Sequence, residues 1–329
     1  MNIKKQLSQN SLILLFRLIK EFFYEILVFS KELGTANRYK IPSKFKSDLT
    51  IKFHAIEKGL SIGDARPGFG QDKIVTALKD LLVFYNKFKD ADFVFLNLNL
   101  VDKYLDFNKK NNIETPQIES LRNSLFDVVK DKQPISETDA GIIIMKKNEV
   151  LTLRESDFPK FSASRFSIRD FDKKLRVNKQ DIYEALSIAQ KAPSACNRQP
   201  WHVHLFSGDI KNQLLEFHGG CKGFSKDIEY AILITSDLNA YFIHEINQPY
   251  VDGGLYGMNL LYALHCKGLA TIPLTTGFKQ KERKTLKEKF SIPSNETPIM
   301  IIGIGEFKEE YKVAVSHRIS YNHYLKEHE

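Results

Sequence analysis

Two arginines and a serine fall within five residues in the run Ser164-Arg165-Phe166-Ser167-Ile168-Arg169-Asp170-Phe171. Guanidinium groups match phosphate oxygens bidentately and a serine hydroxyl adds a neutral donor, so this run is a candidate anion clamp. Alone, it also reads as a solvated surface turn. A second run, APSACNRQPW from Ala192 to Trp201, sets a rigid polar loop between a helix end and a strand start. A third leads from Asp252 through Gly268 into Ile272-Pro273-Leu274-Thr275-Thr276-Gly277-Phe278. A fourth joins Gly303-Ile304-Gly305-Glu306 to Ser316-His317-Arg318.

Generic catalytic motifs are missing. The chain has no GxSxG elbow and no GxxxxGK[ST] phosphate loop. Gly303-Ile304-Gly305 lacks the third glycine of a dinucleotide fingerprint, since Lys308 stands there, and reads as a strand end. His202 and His204 have chelate spacing but no third ligand in view, and Cys196, Cys221 and Cys266 form no CxxC pair, so no metal site is expected. His54 and Glu57 share a helix face without the second His of a zincin, and read as a structural or interface pair. Cys196 reads as a small filler rather than a reactive thiol.

Together, in this order and spacing, the four runs resemble the nitroreductase family of FMN-dependent oxidoreductases. RFSIRDF and APSACNRQPW are specific as a pair; GLATIPLTTGF and the closing arginine support them. The likeness covers about residues 160–320. The earlier HAIEKGL and RPGFG resemble the N-terminal region of a bacterial subgroup of the same family. The resemblance implies an α+β sandwich, an intertwined homodimer and one FMN in each of two interface clefts. By position it gives Arg165 and Ser167 the phosphate and ribityl chain, with the Phe166 backbone alongside, and puts Arg169 near the N1/C2 edge of the flavin. Pro193, Ser194, Ala195 and Asn197 would reach the flavin of the other subunit. A backbone N–H of Thr276 or Gly277 would face N5, and Arg318 would close on the phosphate. A fixed cation near N1 favours the reduced flavin, so the protein needs no strong acid or base of its own. This chain departs from many members by Thr276, where they carry an acidic residue, and by one extra residue in that loop.

These residues need elements to hold them. Residues 11–29 alternate apolar side chains with Arg17, Lys20, Glu21 and Glu25 on one face, which predicts an amphipathic helix packed on protein rather than a membrane span or a cleavable signal. Gly59 is expected to stop a helix carrying His54 and Glu57, and RPGFG to turn. Residues 71–89 and 117–130 have helical periodicity, and Phe93–Leu98 is the one strand signal before residue 140. From Gly141 the texture becomes α/β, with a strand at 141–145 and a charged connector at 146–160. A helix capped by Asn178, strands at 201–206 and 230–235, a helix at 249–267 and a helix at 279–290 follow. A last strand at 298–304 leads into a polar tail.

At 329 residues the chain should hold two domains, here a helical region at 1–155 and an FMN-binding region at 156–329. The formal charge of +8 sits mostly in residues 1–58, with 11 basic against 5 acidic side chains, and lacks the interleaved aromatics of a nucleic-acid reader. The cysteine pattern suits a reducing cytoplasmic setting. The sequence thus reads as an NAD(P)H-dependent flavin oxidoreductase acting on an electron-poor small molecule. The alternative is a dimeric scaffold that keeps the flavin fold and docks a membrane-associated assembly.

Overall fold

The computed structural model describes residues 11–32, 39–130, 140–242 and 245–328. Two compact units emerge: Met1–Ala36 with Lys146–Tyr311, and Asn37–Met145 with Lys312–Glu329. The packing thus divides the chain near residue 145 rather than 155, and the last residues join the helical unit.

The helical unit is built from α2 (Pro42–Leu60), α3 (Gln71–Phe88), α4 (Ala91–Lys110) and α5 (Pro116–Val129). Each carries apolar residues three and four apart, and the stripes meet in a core holding Phe45, Leu49, Phe53, Leu78, Leu81, Leu98, Tyr104 and Leu125. Burying each such side chain is worth about 1.5–3 kcal/mol, which stabilises the unit without disulfides. The strand expected at Phe93–Leu98 lies inside α4 instead. Asp90 caps this helix by accepting from the Phe93 N–H at 3.0 Å, and helical spacing continues to Val101 and Tyr104.

Gly59 does not end α2, which runs on to Leu60. It is a notch: a Cβ there would lie 2.3 Å from the Phe69 ring. The RPGFG turn is pinned over that notch, since Tyr104 donates its hydroxyl to the Phe69 carbonyl at 2.7 Å and Gly68 N–H donates to Asn108 at 2.6 Å. The HAIEKGL and RPGFG segments are therefore one packing joint. Glu57 is buried in the same unit, accepting from His54 Nδ1 at 2.9 Å and from the Ser316 N–H at 3.1 Å. The pair is structural, tying the C-terminal segment to α2.

The helical unit ends in β1 (Ile142–Lys146), and the other unit opens with α6 (Lys147–Thr152) and α7 (Phe158–Ser164), two short helices where a connector was expected. Then come β2 (Phe171–Asp172), α8 (Lys179–Ala189), β3 (Trp201–Ser207) and α9 (Gly208–His218). After these lie β4 (Tyr230–Asp237), α10 (Gln248–Cys266), β5 (Ala270–Thr275), α11 (Gln280–Lys289) and β6 (Glu296–Phe307). A further strand, β7 (Glu310–Ala314), pairs with β1 where the sequence reads as polar tail. The five-stranded sheet is antiparallel, with β6 between β4 on one side and β5 and β2 on the other, and β3 outside β4.

Alternation along β4 sends Ile232 and Ile234 toward α8 and α10, where they meet Ala185, Ala189, Leu260 and Leu264. The opposite face is covered by α9 and the region after α11, through Leu214, Leu215 and the Phe206–Phe290 ring contact at 5.9 Å. This is the α+β sandwich anticipated above. Gly303 and Gly305 lie inside β6 rather than at its end. A Cβ at Gly303 would lie 2.8 Å from Ile228, and one at Gly305 would lie 2.6 Å from the Phe171 ring.

The first helix, α1 (Ser11–Glu32), forms as predicted but its cover does not. Leu12, Leu15, Phe16, Ile19, Phe22, Phe23 and Ile26 are each 48–72% exposed, so the chain's own flavin-region half does not bury this face. No described helix is long and apolar enough to cross a membrane.

The notch at Gly59 gives a direct test. Gly59→Ala should lower denaturant stability by about 1–3 kcal/mol through overpacking. Adding Phe69→Ala should cost less than the two single changes summed, and additive costs would show that the ring and the glycine are not coupled.

Candidate functional site

The clamp loop leaves α7 at Ser164, a buried residue, and enters β2 at Phe171. Arg165, Phe166, Ser167 and Arg169 are half-buried. Ile168 between them is buried, and its N–H donates to the Thr271 carbonyl of β5 at 2.9 Å, which fixes the loop to the sheet. Arg169 Nη1 donates to the Ser167 carbonyl at 3.2 Å. The neighbouring acid is answered, since Asp170 pairs with Lys308.

Behind this loop Ser164 Oγ lies 2.8 Å from the Phe161 carbonyl and 2.7 Å from His265 Nε2. A carbonyl can only accept, so satisfying both contacts makes Ser164 donate to it and His265 donate from Nε2. Burial, then the positive charges of Arg165 and Arg154, push the imidazole pKa down to about 4. The histidine is neutral at pH 7 for a reason visible in the site: a charged ring here would repel Arg165.

The loop Ala192–Pro200 is held differently. Cys196, Asn197 and Gln199 take φ of 52°, 54° and 49°, the left-handed region that costs about 1–2 kcal/mol for a non-glycine residue. Asp252, buried at the start of α10, accepts from the Ala195 N–H at 3.2 Å, the Tyr241 hydroxyl at 3.0 Å and Gln248 Nε2 at 2.8 Å. Arg198 makes a bidentate pair with Glu245 at 2.7 and 2.8 Å and donates to the Ala195 and Ala240 carbonyls. Ser194 Oγ accepts from the Gln199 N–H at 2.9 Å, closing the loop on itself. Pro193 and Asn197 remain exposed at its surface, with Ser194 and Ala195 half-buried.

At the far end of β5, Thr276 Oγ1 donates to the Ile299 carbonyl at 2.8 Å. The Gly277 N–H reaches Thr275 Oγ1 at 3.3 Å, a long bond that leaves this donor weakly engaged. Gly253, next to Asp252, abuts Ile299, since a Cβ there would lie 2.6 Å from its side chain. The 194–199 loop and the 275–277 turn are thus joined through α10 and β6. The 165–169 loop meets the opposite end of β5. Arg318 lies in the other compact unit, where Nη1 donates to the Ser316 carbonyl at 2.7 Å.

Reading the sequence missed the anchors: Asp252, the Arg198–Glu245 pair and the Ser164–His265 pair. Arg198 and Asp252 stand inside the four candidate runs, but nothing in residue type says that Arg198 pairs with Glu245 or that Asp252 accepts from the Ala195 N–H. His204, considered for metal, instead lies 2.7 Å from Glu296.

The sequence profile of the Nitroreductase family matches residues 163–221, from the clamp loop to the end of α9 and just beyond. The chain carries a nitroreductase-family domain. Its relatives include a Bacillus subtilis (strain 168) protein named "Putative NAD(P)H nitroreductase YodC", 27% identical over 177 residues, 44% of this chain and 86% of that one. A "CLA biosynthesis enone reductase" of Lactiplantibacillus plantarum is 24% identical over 113 residues, 32% of this chain and 51% of that one. Among solved structures, an FMN-dependent nitroreductase from Clostridium difficile R20291 is similar with a TM-score of 0.40 and 23% identity, over 46% of this chain and 89% of that chain. The matched residues 163–221 include both the 165–169 and the 194–199 loops.

Because the His265 pKa falls from 6.5 to about 4 on folding, the unfolded chain binds the extra proton first. Stability is full above pH 6.5 and is lost as pH drops toward 4, by about 3 kcal/mol in total from this group. Urea melts at pH 7 and pH 4.5 should show the loss, and His265→Gln should reduce its slope; an unchanged slope would refute the assignment. Asp252→Ala strands the Ala195 N–H and the Tyr241 hydroxyl, and should cost about 2–4 kcal/mol. Asp252→Asn, which keeps an acceptor, should cost less in the same melts.

Proposed function

We propose that this chain is an FMN-dependent oxidoreductase that takes hydride from NADH or NADPH and passes it to an electron-poor small-molecule acceptor. The family domain and the names of its relatives support the general class. The observation that carries the reading is the pair of polar loops at opposite ends of β5. One is pinned at Thr271 and the other begins after Thr275, roughly 15 Å along the strand. An isoalloxazine ring with its ribityl phosphate is a molecule of that length, anionic at one end and in need of hydrogen-bond donors at the other.

The donor set fits the group. Arg165 and Ser167 would hold the phosphate end, with the Phe166 backbone beside them, and Arg169 would supply a fixed cation near the ring. Thr276 and Gly277 would bring a main-chain N–H to the reacting edge; the weakly engaged Gly277 donor is free to exchange partners at little cost. When bound, FMN supplies the hydride chemistry, which explains why no acid–base pair stands among these residues. The chain's part is to hold charge and donors in place beforehand, so that little reorganisation accompanies reaction.

The 194–199 loop, with Pro193 and Asn197 exposed, is assigned to the flavin of a second subunit, which makes the working unit a homodimer. The enone reductase among the relatives supports an activated carbon–carbon double bond as one class of acceptor beside nitro compounds.

The purified protein should be yellow and release FMN on denaturation. Charged hydrogen bonds are worth about 1.5–3 kcal/mol, so Arg165→Ala should weaken FMN roughly ten- to a hundredfold in a fluorescence titration. Colourless protein that fails to take up added FMN would overturn the reading.

A further inference from the structure

We propose that the exposed apolar face of α1 is an interface between two copies of this chain, with the two helices running antiparallel about a twofold axis at Ile19. The occupant is set by three features of the helix itself.

The first is area. Leu12, Leu15, Phe16, Ile19, Phe22, Phe23 and Ile26 lie within about 120° of arc and carry no charge among them. With each side chain about half to three-quarters exposed, they present on the order of 800 Å² of apolar surface. That exceeds the patch a monomer usually leaves in water, and it matches the roughly 800 Å² per partner of a stable protein interface.

The second is symmetry. An isologous interface must be complementary to itself. The seven positions are palindromic about residue 19: Phe16 answers Phe22, Leu15 answers Phe23, Leu12 answers Ile26, and Ile19 meets its own copy. An antiparallel pair centred on Ile19 therefore sets apolar against apolar at every position.

The third is charge. The sequence puts Arg17 and Lys20 in the first half and Glu21 and Glu25 in the second. All four lie outside the apolar arc, so covering that arc buries no charge. An antiparallel pair also opposes the two helix dipoles, which a parallel pair would align. A lipid surface is the weaker occupant, because these four side chains sum to zero rather than giving the Lys/Arg-rich polar face of interfacial helices.

The test is disulfide trapping in the full-length chain carrying Cys196→Ser and Cys266→Ser, the two exposed native thiols. Ile19→Cys should oxidise to a covalent dimer. Leu12→Cys chains mixed with Ile26→Cys chains should form a mixed dimer, while Leu12→Cys alone should stay unlinked. Leu12→Cys homodimers would mean a parallel pair, and absence of linkage at both Ile19 and the 12/26 combination would mean no pair; either overturns the proposal. Flotation of the unmodified chain with phosphatidylcholine/phosphatidylglycerol vesicles, abolished by Ile19→Glu with Phe23→Glu, would identify lipid as the occupant and overturn it as well.

Discussion

A single strand carries the catalytic unit. β6 is hydrogen-bonded to β4 along one edge and to β5 and then β2 along the other, so three of the four remaining strands take their register from it. Two glycines make that crowding tolerable. At Gly303 and Gly305 the space a Cβ would need is filled by Ile228, Ile272 and Phe171. Register matters because the two polar ends of β5 are defined by it: Ala270 opposite Gly305, Thr275 opposite Met300. A slip of one residue would turn the alternate side chains over and separate the loops from their anchors.

Upon that frame the chain fixes loops rather than side chains. The 165–169 loop is held through a backbone bond from Ile168 to the Thr271 carbonyl, between its two half-buried arginines. Three left-handed residues shape the 194–199 loop, a conformation that survives only where the surroundings over-determine it. Asp252, Glu245 and Arg198 supply that determination with at least seven hydrogen bonds among them and their neighbours. Such stiffness suits a flavin site, where the protein's contribution is placement of charge and donors.

The sandwich, most of its helices and the run of candidate residues were legible because period, capping and motif agree there: Asn178 caps α8, and Gly268 follows α10 with φ of 76°. Legibility failed where tertiary contact decides. Phe93–Leu98 is rich in strand formers, yet the Asp90 cap and the long helical stripe override that preference. Gly59 has the look of a helix stop but serves as a socket for a ring ten residues on, a relation no local pattern encodes. The positive φ at Cys196 and Gln199 is equally invisible, since neither residue type favours it. α1 shows the same limit in reverse: its amphipathic pattern is plain, but a pattern names a face and not the surface that covers it.

The two loops are anchored by opposite chemistry, and the difference follows from their own charge. Beside the arginines of 165–169 a charged anchor would either neutralise the clamp or repel it. The anchor there is an imidazole that burial and Arg165 together keep uncharged, bonded to Ser164 one residue before the clamp begins. The 194–199 loop offers main-chain N–H groups, and the single cation it holds, Arg198, is already answered by Glu245. A buried carboxylate is affordable there because the Ala195 N–H, Tyr241 hydroxyl and Gln248 amide all donate to it. The same burial pushes the Tyr241 hydroxyl up to about 12, so it stays a donor over the whole working range. An acid at 265 or a histidine at 252 would break either arrangement, which makes the pairing of anchor to loop a property of this site's electrostatics rather than of its packing alone.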